Sequence, residues 1–157
     1  MDRSKRGWAV DSDLSDVLAD WSPWYAFDDA VILVPRLPGV YMARDSAQTV
    51  YVGMAAERRG QGLRGRLAVY SRGRAAVSGL GEAAMDRALA DPAWIRSRLV
   101  EVEHGVTRRT RAWAIAALER AQLRVRWATT DTGTAARQLE RAVLDSLANV
   151  DLWNRAR

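Results

Sequence analysis

An α+β fold, with a small three-stranded antiparallel sheet packed against several helices, is predicted by three observations in this 157-residue chain. Two short apolar runs, Val40 to Ala43 and Val50 to Met54, flank the turn-forming stretch Asp45-Ser46-Ala47-Gln48 and read as a hairpin. Leu123, Val125, Trp127 and Thr129 alternate with Arg124, Arg126 and Ala128, the two-residue period of a half-buried strand. Elsewhere apolar residues recur at three- and four-residue spacing, the mark of amphipathic helices.

Taken in order, residues 8 to 20 read as an amphipathic helix, and Trp21-Ser22-Pro23-Trp24 as a breaker after it. Residues 1–34 are expected to form an accessory segment packed on a domain of residues 35–157. Within that segment the apolar run Ala30 to Val34 reads as a short strand able to join the sheet, set off by Pro35 and Pro38. After the hairpin, Leu63 to Tyr70 is helical and Ser71-Arg72-Gly73 ends it. Leu80 to Ala90 forms a second helix. Asp91-Pro92 supplies an N-cap and a first-turn proline for a third that runs towards Gly105. Thr107 to Ala121 is a fourth, with an apolar face through Trp113, Ala116, Ala117 and Leu118. Thr134 caps a last helix reaching about Ala148, and Leu152-Trp153-Asn154 follows it.

The length suits one domain with one core. With no cysteine, disulfides and thiolate zinc sites are excluded. No apolar run approaches the roughly 20 residues that span a bilayer, and Met1-Asp2-Arg3-Ser4-Lys5-Arg6 opens no signal-peptide core. A cytoplasmic protein without membrane contact is expected. The net charge is +5, and Lys5 is the single lysine among 24 basic residues. Arginine suits phosphate because its planar fork donates two parallel hydrogen bonds, although arginine-rich codon usage produces the same composition. Arg58, Arg59, Arg64, Arg66, Arg72 and Arg74 cluster after the hairpin while the first thirty residues are net acidic, which favours a polyanionic partner.

Two charged residues fall on faces that should be apolar. In the last helix Ala136, Leu139, Val143, Leu144 and Leu147 make one stripe, and Glu140 lies inside it. A buried carboxylate needs a partner or a metal; otherwise it sits at the stripe's edge beside Arg137 or Arg141. Arg66 shares a face with Leu63, Leu67 and Tyr70, and either snorkels outward or lines a cleft with Glu140.

Gly39-Val40-Tyr41, then Tyr51-Val52-Gly53 ten residues after the first tyrosine, then Arg66-Leu67 and Tyr70 on a helix, resemble the GIY-YIG nucleases. Leu139-Glu140-Arg141-Ala142-Val143-Leu144 resembles the segment carrying that family's metal-binding glutamate, and Leu152-Trp153-Asn154 the segment carrying its late asparagine. The resemblance implies hydrolysis of a phosphodiester in nucleic acid, most simply DNA, with one Mg2+ or Mn2+ held by Glu140. It implies that Arg66 faces the phosphate, that Tyr70 touches it, and that Asn154 fixes the site or contacts substrate. It also implies that Tyr41 or Tyr51 orients the water or takes its proton, with Tyr41 the base and Tyr51 its positioning partner; that role requires a phenol pKa below the usual value of about 10. Arg58, Arg59, Arg64, Arg72 and Arg74 are then the nucleic-acid-binding residues, with specificity added by a partner protein or a homodimer.

The chain departs from the family pattern at Met54, where many relatives carry lysine or histidine, in the longer stretch 57–62, and over the helical insertion at about 75–121. The alternative function is a nucleic-acid-binding module with this fold and no turnover; a protein-interaction domain is a more distant one. Gly60-Gln61-Gly62-Leu63-Arg64-Gly65 spells a dinucleotide fingerprint, but helices rather than a parallel strand follow it. His104, at a helix end, is read as structural, and Trp113 and Trp127 as core.

Overall fold

The computed structural model describes residues 14–155. Four antiparallel strands form its sheet: β1 (Tyr25–Ala26), β2 (Gly39–Arg44), β3 (Thr49–Ala55) and β4 (Arg124–Thr129), in the spatial order β1-β4-β2-β3. Among the described residues six α-helices accompany it: α1 (Phe27–Leu33), α2 (Gly62–Ser71), α3 (Gly79–Leu89), α4 (Pro92–Glu103), α5 (Thr110–Ala121) and α6 (Gly133–Ser146). The α+β architecture expected from the sequence is the one observed, with a fourth strand added from the N-terminal side.

The β2–β3 hairpin closes because Asp45 Oδ1 accepts the amide protons of Ala47 and Gln48, a side-chain turn beside a register shift between Ala43 and Arg44. Both faces of this hairpin are covered. Val40, Met42 and Val52 point to α6 and the segment after it, where Val143, Leu147 and Leu152 meet them. Tyr41, Ala43, Tyr51 and Ala55 point the other way, against Phe27, Ala30, Leu63, Leu67, Tyr70 and Leu80 from α1, α2 and α3. The molecule is therefore a sheet between two helical layers. Away from it, Ala88, Trp94, Ala116 and Ala117 form a small separate core that joins α3, α4 and α5. Asp91 accepts the Ala93 amide proton and Pro92 starts α4, as the dipeptide requires.

Several elements differ from the sequence expectation. Ala30 to Val34 is not a strand: Ala30 to Leu33 ends α1 and Val34 caps it, because Phe27, Ala30 and Val34 share one buried face while Asp28 and Asp29 occupy the exposed first turn. The added strand is β1, just before it. From residues 14–34, β1 pairs β4 and α1 contributes to the main core. A one-turn 3-10 helix, Leu14–Val17, is the part of the helix expected over 8 to 20 that falls among the described residues; 8–13 lie outside them. Finally β4 is covered on both faces. Arg126 is only 7% exposed, with its guanidinium 4.7 Å from the ring centres of both Trp21 and Trp24 and bonded to Asp16 and Ser15. The cap of α6 is Thr132, which accepts from the Ala135 amide, rather than Thr134.

Candidate active site

Register places the two tyrosines of the hairpin. Tyr41 lies opposite Gly53, and Ala43 opposite Tyr51. A side chain at Gly53 would collide with the Tyr41 ring, its Cβ falling 2.8 Å from Cε1, so this glycine provides the space in which the phenol lies. The rings of Tyr41 and Tyr51 then stack at 6.1 Å with 26° between planes.

Helix α2 supplies the next two groups from one face. The Tyr70 hydroxyl is 2.8 Å from that of Tyr41, and the Leu80 amide donates to it at 3.3 Å. One turn earlier, Arg66 leans on the Tyr70 ring with Cζ 5.4 Å from its centre. The Arg66 Nε is buried and has no acceptor among the described residues. Gly79, at the start of α3 with φ +55°, closes the group: a Cβ built on it would sit 3.3 Å from both Arg66 Nη2 and the Tyr51 hydroxyl, and against the hydroxyl of Tyr70. Two phenols and a guanidinium thus converge on one point.

Glu140 approaches from α6, on the opposite side of the sheet. The start of α6 is fixed by Thr132 and by Glu57, whose Oε1 accepts the Gly133 amide at 2.8 Å. Glu140 is half-buried between Ala136 and Val143, and no ion pair to Arg137 or Arg141 forms. Burial raises its pKa, against the opposing pull of Arg137 and then Arg66. It is near enough to Tyr51 to make that phenol harder to ionise. Arg66, Tyr51 and Glu140 therefore share one electrostatic field.

Neither Tyr41 nor Tyr51 has the lowered pKa that a general base requires. Tyr41 is pushed well up by burial, then by Tyr70 and Tyr51, with Arg66 opposing. Tyr51 is pushed up by burial and Tyr70, again against Arg66. Exposure separates their roles: Tyr41 is 0%, Tyr70 2% and Tyr51 8% exposed. Tyr41, expected as the base, has no access to solvent here and is held between Gly53 and Tyr70. Tyr51 is the phenol nearest the surface. Both are neutral hydrogen-bonding groups at neutral pH.

Asn154 does not reach the phenols. Its side-chain amide spans the backbone of Val52, accepting from the N–H at 3.1 Å and donating to the C=O at 2.7 Å. It acts as a surrogate strand on the outer edge of β3, and Trp153 extends this by donating its N–H to Val50. Asn154 thereby holds Tyr51 in place from behind. Met54 points to the α6 side, packed with Val143 and its neighbours, so it is not beside the phenols.

Among the arginines expected to bind nucleic acid, Arg64 is committed elsewhere: its guanidinium donates to the carbonyls of Val34 and Ile32 at 2.8 Å each and caps α1. Arg58, Arg59, Arg72 and Arg74 are exposed. Arg58 and Arg59, with φ +33° and +55°, form a left-handed turn with Gly60 that costs energy for residues bearing a Cβ. Sequence reasoning missed Glu57, Gly79 and the Leu80 amide; Ser78-Gly79 before an apolar-periodic run signalled a helix start, but not its destination.

No family model, curated protein or solved structure matches the chain.

Proposed function

We propose that the protein is a metal-dependent endonuclease of the GIY-YIG type, hydrolysing phosphodiester bonds in DNA. The observation that carries the reading is the Arg66 guanidinium, its Nε buried without an acceptor, beside the Tyr51 and Tyr70 hydroxyls. A buried N–H without a partner is costly, and a phosphate oxygen is the acceptor that its charge and fork geometry suit.

Glu140 fits a metal site of a specific kind. Among the described residues no group of three or more acids or histidines gathers that would cage an ion. A half-buried carboxylate without a cation partner matches Mg2+ or Mn2+ that keeps most of its waters and takes its remaining ligands from substrate phosphate. When bound, such an ion supplies Lewis-acid stabilisation of the departing oxygen. The chain's own residues do the rest. Arg66 holds the phosphate and offsets charge that grows on its oxygens. Tyr51, a neutral phenol, orients the attacking water by hydrogen bonding, and Tyr41 and Tyr70 hold it there through their shared bond. Asn154 fixes the strand beneath.

Arg58, Arg59, Arg72 and Arg74 provide the exposed positive charge that tracks a phosphate backbone. The companion reading, a DNA-binding module without turnover, draws on the low exposure of all three phenols. Incubating supercoiled plasmid with the protein and Mg2+ decides between them. Nicking that disappears in Glu140→Ala and in Arg66→Ala, with DNA retention intact, supports the nuclease. Retention with no product at any Mg2+ or Mn2+ concentration supports the module.

A further inference from the structure

The same phenols that would act on substrate are covered in this structure, and what covers them is the first turn of α3. Gly79 sits against the Tyr70 hydroxyl and within 3.3 Å, measured from its built Cβ, of Arg66 Nη2 and the Tyr51 hydroxyl. The Leu80 amide is bonded to Tyr70. This turn is not firmly made from within. Ser78 is exposed and its side chain makes no cap hydrogen bond; Val77 beside it is 84% exposed; and Ser78 N–H reaches the Ala75 carbonyl only at 3.3 Å.

Beside the burial of Leu80 in the main core, a second hold comes from the segment Leu152–Arg155. Trp153 and Asn154 are bonded along the edge of β3 at Val50 and Val52. Immediately beyond, Arg155 pairs with Glu82 at 3.0 Å and Asp86 at 3.1 Å, both on α3. Arg87, also on α3, lies over the Trp153 ring at 4.3 Å. One short segment thus ties the strand that carries Tyr51 to the helix that covers it. The Arg155 side chain is 70% exposed, and exposed pairs of this kind are weak and screened by salt. The N-terminal half of α3 is seated on the main core through Leu80, Ala83 and Ala84, while Ala88 joins a separate small core with α4 and α5, so the far end of the helix keeps packing of its own when the turn shifts.

We propose that the first turn of α3 is a lid over Tyr51, Tyr70 and Arg66, held shut by the Trp153–Arg155 strap, and that a phosphodiester enters only when the strap releases it. The inference rests on the nuclease reading for what enters, but its test does not. Nitration of the full-length protein by tetranitromethane, followed by peptide mass spectrometry, reports access to each phenol, with partly exposed Tyr25 as the internal standard. The double variant Glu82→Lys with Asp86→Lys sets like charges against Arg155. It should raise nitration of Tyr51 and Tyr70 relative to Tyr25 by about 3- to 10-fold, the range that two exposed ion pairs can shift an equilibrium. Adding Arg155→Glu restores opposite charges and should return the rate to that of the parent. Arg155→Gln gives a milder opening if the reversal lowers the melting temperature. Nitration that stays level in all three variants, or that rises without rescue by the swap, overturns the lid. Plasmid nicking by the same proteins separates the two ideas. Nitration that follows the charges with no nicking by any of them leaves the lid and removes the nuclease; nicking with unmoved nitration does the reverse.

Discussion

The hydroxyls of Tyr41 and Tyr70 lie 2.8 Å apart inside the core, and Tyr70 is the shared partner, since the Leu80 amide also donates to it. Removing the two hydroxyls is therefore unequal. Tyr70→Phe removes one partner of the Tyr41 hydroxyl and leaves the buried Leu80 amide without its acceptor, whereas Tyr41→Phe leaves Tyr70 still bonded to Leu80. Urea unfolding should show Tyr70→Phe costing about 2 kcal/mol and Tyr41→Phe about 1 kcal/mol. The double variant should cost less than the sum, because the two hydroxyls share one bond that can be lost only once. Additive losses would mean that the hydroxyls are not partnered.

Gly53 is required by the ring opposite it rather than by its backbone, because the three atoms nearest to a Cβ there all belong to the Tyr41 side chain. Gly53→Ala should destabilise by about 1–3 kcal/mol, the usual result of overpacking a close-packed site. In a Tyr41→Leu background the same change should cost much less, a coupling that thermal melts of the four proteins would measure. An undiminished penalty would locate the strain in β3 itself.

Much of this arrangement is legible in the chain, and what is not has a common cause. The hairpin, α2, α4, α6 and β4 follow from local period and punctuation, and Tyr41, Tyr51, Arg66 and Tyr70 come together once those elements pack. α1 was hidden because a seven-residue helix makes too few turns to show its period, and its apolar end, Ala30 to Val34, reads equally as a strand. Arg126 was hidden because alternation along β4 assumes one wet face, while Trp21 and Trp24 from a hundred residues earlier cover it. The hydrogen bonds of Asn154 to Val52 and of Arg64 to Val34 and Ile32 join residues far apart in sequence. Such contacts leave no periodic trace; they are products of the fold.

Exposed and committed arginines should separate in salt titrations. Arg58→Gln and Arg59→Gln should each lower the slope of log affinity for duplex DNA against log salt by about 0.9, one phosphate contact apiece. Arg64→Gln should leave the slope alone and destabilise the protein by about 1–2 kcal/mol, since two carbonyls at the end of α1 lose their donor. Arg59→Gly adds a trade: relief of its left-handed backbone should stabilise by about 1 kcal/mol while DNA affinity falls. A slope that responds equally to Arg64 would place the nucleic acid elsewhere.

Glu140 should make the folded protein less stable at neutral pH than an uncharged side chain would. Its pKa is raised in the fold, chiefly by burial, so the folded state holds this proton more tightly than the unfolded chain does. Stability from this group is therefore present at low pH and lost as pH rises from the unfolded carboxylate range through the raised value. Glu140→Gln should melt about 1 °C higher at pH 7, a small gain because solvent screens a half-exposed carboxylate. The advantage should vanish near pH 4, where the native side chain is also neutral. Millimolar Mg2+ should raise the melting point of the parent protein and not of the variant, since ligand that binds the native state stabilises it. If Glu140→Gln melts lower at pH 7, or gains as much from Mg2+ as the parent does, this carboxylate is part of the packing and not a site for the ion.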